Sequence, residues 1–394
     1  GISMPNLTGG IIQITNFDIS VEHSTLDQLR DRLINTRYPD EITGSGWNYG
    51  TDLSYLKELV QYWHSDFNWS KQQALINSFS HFRTTVDDIN IHFIHEKGKG
   101  PDPFPLIITH GWPGTFFEMY KVIPMLTDPQ SFGGDPKDSF DVVVPSMPGY
   151  GFSDASPSSG LDPLTVADMW ATLMSDNLGY SRFGAQGGDW GARVTAKLGL
   201  SHSDKVIGIH TTSTTSPTPY LGEGSRPLSE SEKRMLEQRE EWVRSEGGYA
   251  HIQSTKPQTL AYSLNDSPAG LAAWIVEKYR TWSDCGGDIE SRFTKDELLT
   301  TITIYWVTES IGSSTRLYYE SFNKPWNLTK GERIDIPVAV AAFPHENTIP
   351  LREWAERSYN IQHWTDMPSG GHFAALEEPD RLVQDIRSFF RTLR

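Results

Sequence analysis

Cysteine is nearly missing from this chain. Cys285 is the one thiol in 394 residues, so no disulfide can form within it and a cysteine-based metal site is excluded. Beside the turn-like Gly286-Gly287 it reads as a free structural thiol. Basic residues are short as well: 34 Lys and Arg stand against 50 Asp and Glu, a formal charge of −16. No basic run or basic amphipathic helix offsets this. Nucleic acid is therefore not an expected partner, because phosphate binding needs clustered cations. Long apolar runs are also absent. No stretch reaches the roughly 18 residues a membrane helix needs. The opening Gly1-Ile2-Ser3-Met4 lacks the basic-then-apolar order of a secretion signal. Gly1–Ser3 reads as a remnant ahead of a start at Met4, and a cytoplasmic protein without a membrane anchor is expected. On that reading the sequons at Asn6, Asn68 and Asn327 are chance matches.

What the chain has in quantity is aromatic side chains, with 13 Trp, 18 Phe and 15 Tyr, and enough length to bury a large core. The first part, residues 1–88, reads as helical. Ser24 with Asp27 resembles a capping box ahead of Leu26, Leu29 and Leu33, and Pro39 would end that helix. Thr51 would open a second helix carrying Leu53, Leu56, Val60 and Trp63. From Ile89 the pattern becomes that of strands. Ile89–Ile94 alternates, and Leu106–Thr109, Val142–Val144, Val206–Ile209 and Val338–Ala341 are short apolar runs that read as buried parallel strands. Residues 217–331 return to helix, with capping boxes at Ser229/Glu232 and Thr294/Glu297 and an N-cap at Ser267-Pro268. The expected organisation is an N-terminal region (1–88), a first part of a catalytic core (89–216), a helical cap (217–331) and the rest of the core (332–394).

Three motifs stand at strand ends. Gly187-Gly188-Asp189-Trp190-Gly191 fits a nucleophile elbow with Asp where esterases carry Ser. The strand-to-helix turn there is so tight that flanking side chains would clash, and a helix N-terminus favours the carboxylate of Asp189. His110-Gly111-Trp112-Pro113-Gly114 follows the Leu106–Thr109 run, where an oxyanion hole is expected. The backbone N–H groups of Trp112 and Trp190 would converge on one anion. A cis bond before Pro113 would aim that loop, and His110 has the plain reading of a buried histidine. Gly370-Gly371-His372-Phe373 follows a last strand at Ile361–Thr365. The order nucleophile, acid, histidine then calls for a carboxylate between Asp189 and His372. Glu346, in Phe343-Pro344-His345-Glu346, fits best; Asp366 is the competitor.

These motifs resemble those of the microsomal-type epoxide hydrolases, and the resemblance runs along nearly the whole chain. Arg37–Glu41, Gly46–Gly50 and His81–Thr84 are similar to that family's N-terminal region. The resemblance implies an α/β fold of the α/β-hydrolase type, with a mostly parallel central sheet, a helical cap and an N-terminal helical extension. Gly248–Gln253 and Ser314–Glu320 are similar to the family's two acid-bearing segments, which places acid tyrosines at Tyr249 and Tyr318, with Tyr319 the neighbouring alternative. Membrane-bound members begin with a hydrophobic anchor. This sequence opens without one and resembles the soluble microbial members.

The implied reaction opens an epoxide to a diol. Tyr249 and Tyr318 would polarise the epoxide oxygen, Asp189 would form an ester, and His372 oriented by Glu346 would activate water. A small-molecule epoxide is the expected partner, and no metal or organic cofactor is called for. A haloalkane or haloacid dehalogenase shares the Asp nucleophile but needs N–H donors for halide rather than hydroxyl acids. A non-catalytic binding protein would not need an intact nucleophile, acid and histidine. A serine esterase is disfavoured by Asp at the elbow.

Overall fold

The computed structural model describes residues 2–5 and 11–394, so the Asn6 sequon lies outside the described residues. Ten strands form one sheet among those residues: β1 (Ile2–Pro5), β2 (Ile11–Asn16), β3 (His81–Val86), β4 (Ile89–Glu96), β5 (Phe104–Thr109), β6 (Phe140–Pro145), β7 (Phe183–Gly187), β8 (Val206–Thr211), β9 (Ile334–Ala342) and β10 (Tyr359–Asp366). Their spatial order is β1-β2-β3-β4-β6-β5-β7-β8-β9-β10. From β6 to β10 every pairing is parallel, while β1 to β4 form an antiparallel extension joined to β6.

The apolar strand runs are buried on both faces because helices cover both. Period-two alternation sorts their side chains. Ile107, Val143, Ala185 and Ile209 face one core with Val194 and Leu198 of the helix that follows β7. Leu106, Ile108, Val142 and Ala341 face the other, with Leu382, Ile386 and Phe390 of the C-terminal helix.

In chain order the helices are α1 (His23–Ile34), α2 (Leu53–Ser65), α3 (Trp69–Asn77), α4 (Val122–Thr127), α5 (Pro163–Thr172), α6 (Trp190–Ser201), α7 (Glu230–Glu246), α8 (Gly248–Thr255), α9 (Pro257–Asp266), α10 (Pro268–Trp282), α11 (Lys295–Thr308), α12 (Ile311–Phe322), α13 (Arg352–Ala355), α14 (Ala374–Glu377) and α15 (Pro379–Arg391). Helices α7 to α12 form an insert between β8 and β9. Its base is pinned by a bridge from Thr218 to Asn327. The capping boxes at Ser229 and Thr294 are formed, and Ser267 caps α10. Glu232 is fully buried and takes bonds from Arg357 at 2.7 Å and Arg226 at 3.0 Å, which ties the insert to the segment before β10.

The N-terminal region departs from its helical reading. α1 starts at His23 behind Glu22, which makes no side-chain cap, so Ser24 and Asp27 form no capping box. It ends at Ile34, well before Pro39, where the Asn35 side chain donates to the Asp31 carbonyl. α2 is capped by Asp52, which accepts from the Tyr55 N–H, while the Thr51 hydroxyl donates to Ala273 in α10. Strands β2 and β3 also belong to this region. The β3–β4 hairpin turns at Asp87-Asp88, both with positive φ, so a division at residue 88 falls inside a hairpin.

Candidate active site

The elbow works by close approach. Asp189 sits between β7 and α6 with φ 53° and ψ −131°, a conformation L-residues rarely adopt. A Cβ at Gly191 would run into the Thr109 carbonyl, and one at Gly111 into the Asp189 side chain. Only glycine lets the three segments meet. Trp190 is the first residue of α6, so its N–H has no partner within the helix.

The β5 loop faces this turn. The Trp112 N–H donates to Oδ2 of Asp189 at 2.8 Å. The Trp112-Pro113 bond is cis. His110 is buried; its Nε2 accepts from the Met147 N–H at 3.2 Å, which leaves Nδ1 to donate to the Gly111 carbonyl at 3.1 Å. Burial pushes its pKa down to about 4, so it is a neutral strut of the loop.

His372 completes the constellation. Its Nε2 lies 3.0 Å from Asp189 Oδ1 and its Nδ1 lies 2.5 Å from Glu346 Oε1. The sequence separation is bridged by a short parallel contact between His345 and Gly371, which sets the two loops side by side. The competitor Asp366 ends β10 and accepts from the Trp364 indole instead. Burial alone would lower the His372 pKa, but the charge of Glu346 and the bond to Asp189 outweigh it and hold it well above its ordinary value. The resting group is an imidazolium between two carboxylates.

Above this triad lie the two tyrosines. Tyr249 on α8 stacks on Trp112 with ring centroids 5.5 Å apart. Tyr318 on α12 meets the Trp190 ring edge-on at 4.8 Å and the Tyr249 ring at 5.9 Å. Burial first, then neighbouring charge including that of Asp189, raises the pKa of both, so both hydroxyls keep their protons. Tyr319 is 42% exposed and faces a surface groove with Leu317 and Glu320.

Two further carboxylates near the site carry no signal in the sequence. Glu377 on α14 accepts from the N–H groups of Asp284, Gly371 and Phe373 at 2.7, 3.0 and 2.9 Å, and so clamps the loop that carries His372. Glu118, on a 3-10 turn Phe116–Met119, reaches the same small cavity as Asp189 and His372. Neither falls in a motif, and each reads as an ordinary helix glutamate until the packing is known. Among the described residues no cluster of His, Cys, Asp and Glu could hold a metal ion, and no helix is long and apolar enough to cross a membrane.

The family model described as the epoxide hydrolase N terminus matches residues 14–119, and that of the alpha/beta hydrolase fold matches residues 105–250. Epoxide hydrolase 1 of Oryctolagus cuniculus is 39% identical over 402 residues, covering 95% of this chain and 88% of that protein. The crystal structure of the juvenile hormone epoxide hydrolase from the silkworm Bombyx mori superposes with a TM-score of 0.87 at 30% identity, covering 97% of this chain and 95% of that one. The structure of Aspergillus niger epoxide hydrolase gives 0.84 at 30% identity, covering 97% of each. With this likeness along nearly its full length, the chain belongs to the epoxide hydrolase family of the α/β-hydrolase fold.

Proposed function

We propose that this epoxide hydrolase converts a small-molecule epoxide to a vicinal diol through an ester on Asp189, without metal or organic cofactor. The observation that carries the reading is the Asp189–His372–Glu346 line, lying under two protonated buried tyrosines. Residues 217–331 act as the cap, 89–216 and 332–394 as the catalytic core, and 1–88 as a region that extends its sheet.

The cycle balances in protons. At rest Asp189 is a carboxylate and His372 an imidazolium. Asp189 attacks a ring carbon, the C–O bond of the epoxide breaks, and Tyr249 or Tyr318 gives its proton to the departing oxygen. Ester formation removes one of the two anions that held the imidazolium. The pKa of His372 falls at the stage where a base is needed, and its proton replaces the one lost by the tyrosine. Water then gives a proton to Nε2 of His372 and its oxygen adds to the ester carbonyl. The N–H groups of Trp112 and Trp190 stabilise the resulting oxyanion. The tetrahedral centre collapses, the alkoxide leaves with the remaining water-derived proton, and the resting charges return. Glu346 orients the ring and stabilises the imidazolium.

A single turnover in ¹⁸O-water tests this. The first diol carries unlabelled oxygen from Asp189, and the label enters the carboxylate. Solvent label in the first-turnover diol would mean direct attack by water and would overturn the scheme. Chloroalkanes, whose leaving group needs N–H donors rather than hydroxyl acids, release no halide on this reading.

A further inference from the structure

Glu118 is largely buried, at 9% exposure, and its carboxyl makes no hydrogen bond to protein among the described residues but borders open space. Buried polar groups are almost always paired, so an unpaired one calls for an explanation. The backbone around it is well defined. Thr115 caps the 3-10 turn through a bond from the Phe117 N–H, and the turn follows directly on the His110–Gly114 loop. The side chain is thereby aimed into a cavity of about 20 Å³ that it shares with Asp189, His372, Trp112 and Thr109. Such a volume holds one water, and water occupies a buried cavity only where about two to four polar groups meet it. This cavity offers them beside the carboxylate to be hydrolysed and beside the base.

We propose that Glu118 is a further catalytic residue that holds the hydrolytic water, one O–H directed to Nε2 of His372 and the other to a carboxyl oxygen of Glu118. This rests on the reading of Asp189 as nucleophile and His372 as base. His372 can take only one of the two water protons. Without a second acceptor the water would be free to rotate about that bond, and its attacking lone pair would lose its aim at the ester carbonyl. Burial, with the charges of Asp189, Glu377 and Glu346 adding to it and that of His372 opposing it, pushes the Glu118 pKa up to about 8. The side chain is then neutral at neutral pH. It still accepts through its carbonyl oxygen and adds no charge that would hold His372 as an imidazolium once the ester has formed.

The test is pre-steady-state kinetics of the full-length enzyme with styrene oxide as probe, comparing wild type with Glu118→Leu and Glu118→Gln. Alkylation of Asp189 should suffer far less than hydrolysis of the ester. In Glu118→Leu hydrolysis should fall by about 100-fold, the scale on which a reactant misplaced by about 1 Å slows a reaction, and the alkylated protein should accumulate. Glu118→Gln keeps a carbonyl acceptor and should lose much less. If the leucine variant does not fold, Glu118→Met carries the same comparison. Hydrolysis at the wild-type rate in the apolar variant overturns the proposal, and so does a parallel fall of alkylation and hydrolysis, which marks a packing role. If wild type itself forms no ester, the nucleophile assignment fails and this proposal with it. If the ester forms but its breakdown ignores residue 118, only the role of Glu118 falls.

Discussion

At the scale of single residues, the proposed cycle turns on how many anions surround one imidazole. Glu346 is 2.5 Å from His372 and buried, whereas Asp366 bonds to Trp364 at the end of β10. Glu346→Gln should therefore slow ester hydrolysis more than Asp366→Asn, measured by single-turnover decay of the adduct. The reverse ranking would move the acid to Asp366. Glu118 gives a second prediction, in stability. Its carboxyl pKa is raised from an ordinary 4.5 to about 8 by burial, with His372, Asp189, Glu377 and Glu346 as its charged neighbours. Between these values the folded chain binds more protons than the unfolded one, so stability falls as pH rises from about 4.5 to about 8. Glutamine does not titrate. The melting temperature of Glu118→Gln relative to wild type should accordingly climb by about 2 °C or more between pH 5 and pH 8. A difference that stays flat with pH would show that Glu118 ionises as an exposed carboxyl does.

Secondary-structure elements decide which of these residues meet. The two tyrosines come from α8 and α12, separated in sequence but packed so that both rings sit over Trp112. Losing one hydroxyl leaves the other, so Tyr249→Phe and Tyr318→Phe should each keep measurable alkylation. Each donor is worth about 2.7–4 kcal/mol by analogy with an oxyanion-hole donor, and the double variant should be almost inactive in ester formation. Near-normal alkylation in the double variant would remove both from the mechanism, and loss in Tyr319→Phe alone would shift the second acid by one position. Elements of this kind were readable in unequal measure. The apolar strand runs and their glycine turns stand out because parallel strands buried on both faces cannot be polar. The elbow stands out because its glycines answer a steric demand. Strand β3, His81-Phe82-Arg83-Thr84-Thr85-Val86, did not: it mixes polar and aromatic residues on a mixed-burial strand and carries no turn-bounded apolar run. Thr51 reads as the helix opener because it adjoins the true cap, Asp52, and only the packing of α10 shows where the threonine hydroxyl goes. Glu118 and Glu377 had no local signal, since what makes them special is burial beside residues far away in the chain.

For the molecule as a whole, the cavity at the triad poses a question of access. About 20 Å³ admits one water and no epoxide, and core residues alone line it; on the proposed function substrate reaches Asp189 from the side of Tyr249 and Tyr318, so the insert that carries both is the part that moves. The hydrogen bonds across the interface indicate which part of the insert. The Tyr305 hydroxyl donates to the Gly114 carbonyl at 2.7 Å, and the Trp112 indole donates to Ser314 at 3.2 Å, which fastens α11 and α12 to the oxyanion loop. Helices α8 and α9 make no side-chain hydrogen bond to residues 89–216 among the described residues. α9 also lies between two grooves of about 910 and 690 Å³ that separate it from the Pro148–Leu161 loop. Segments with few such ties open locally at low free energy while the sheet opens only with global unfolding. Because α8 carries Tyr249, its movement would uncover the triad and displace one proposed acid together, and closure would restore both. Amide hydrogen exchange checks this. Amides of α8 and α9 should exchange much faster than those of β5, β7 and β8 in the free enzyme, and should slow when the ester is trapped by His372→Gln. Protection of α8 and α9 equal to that of the sheet would place the entrance elsewhere, with α12 the next element to examine, because it alone carries the other proposed acid.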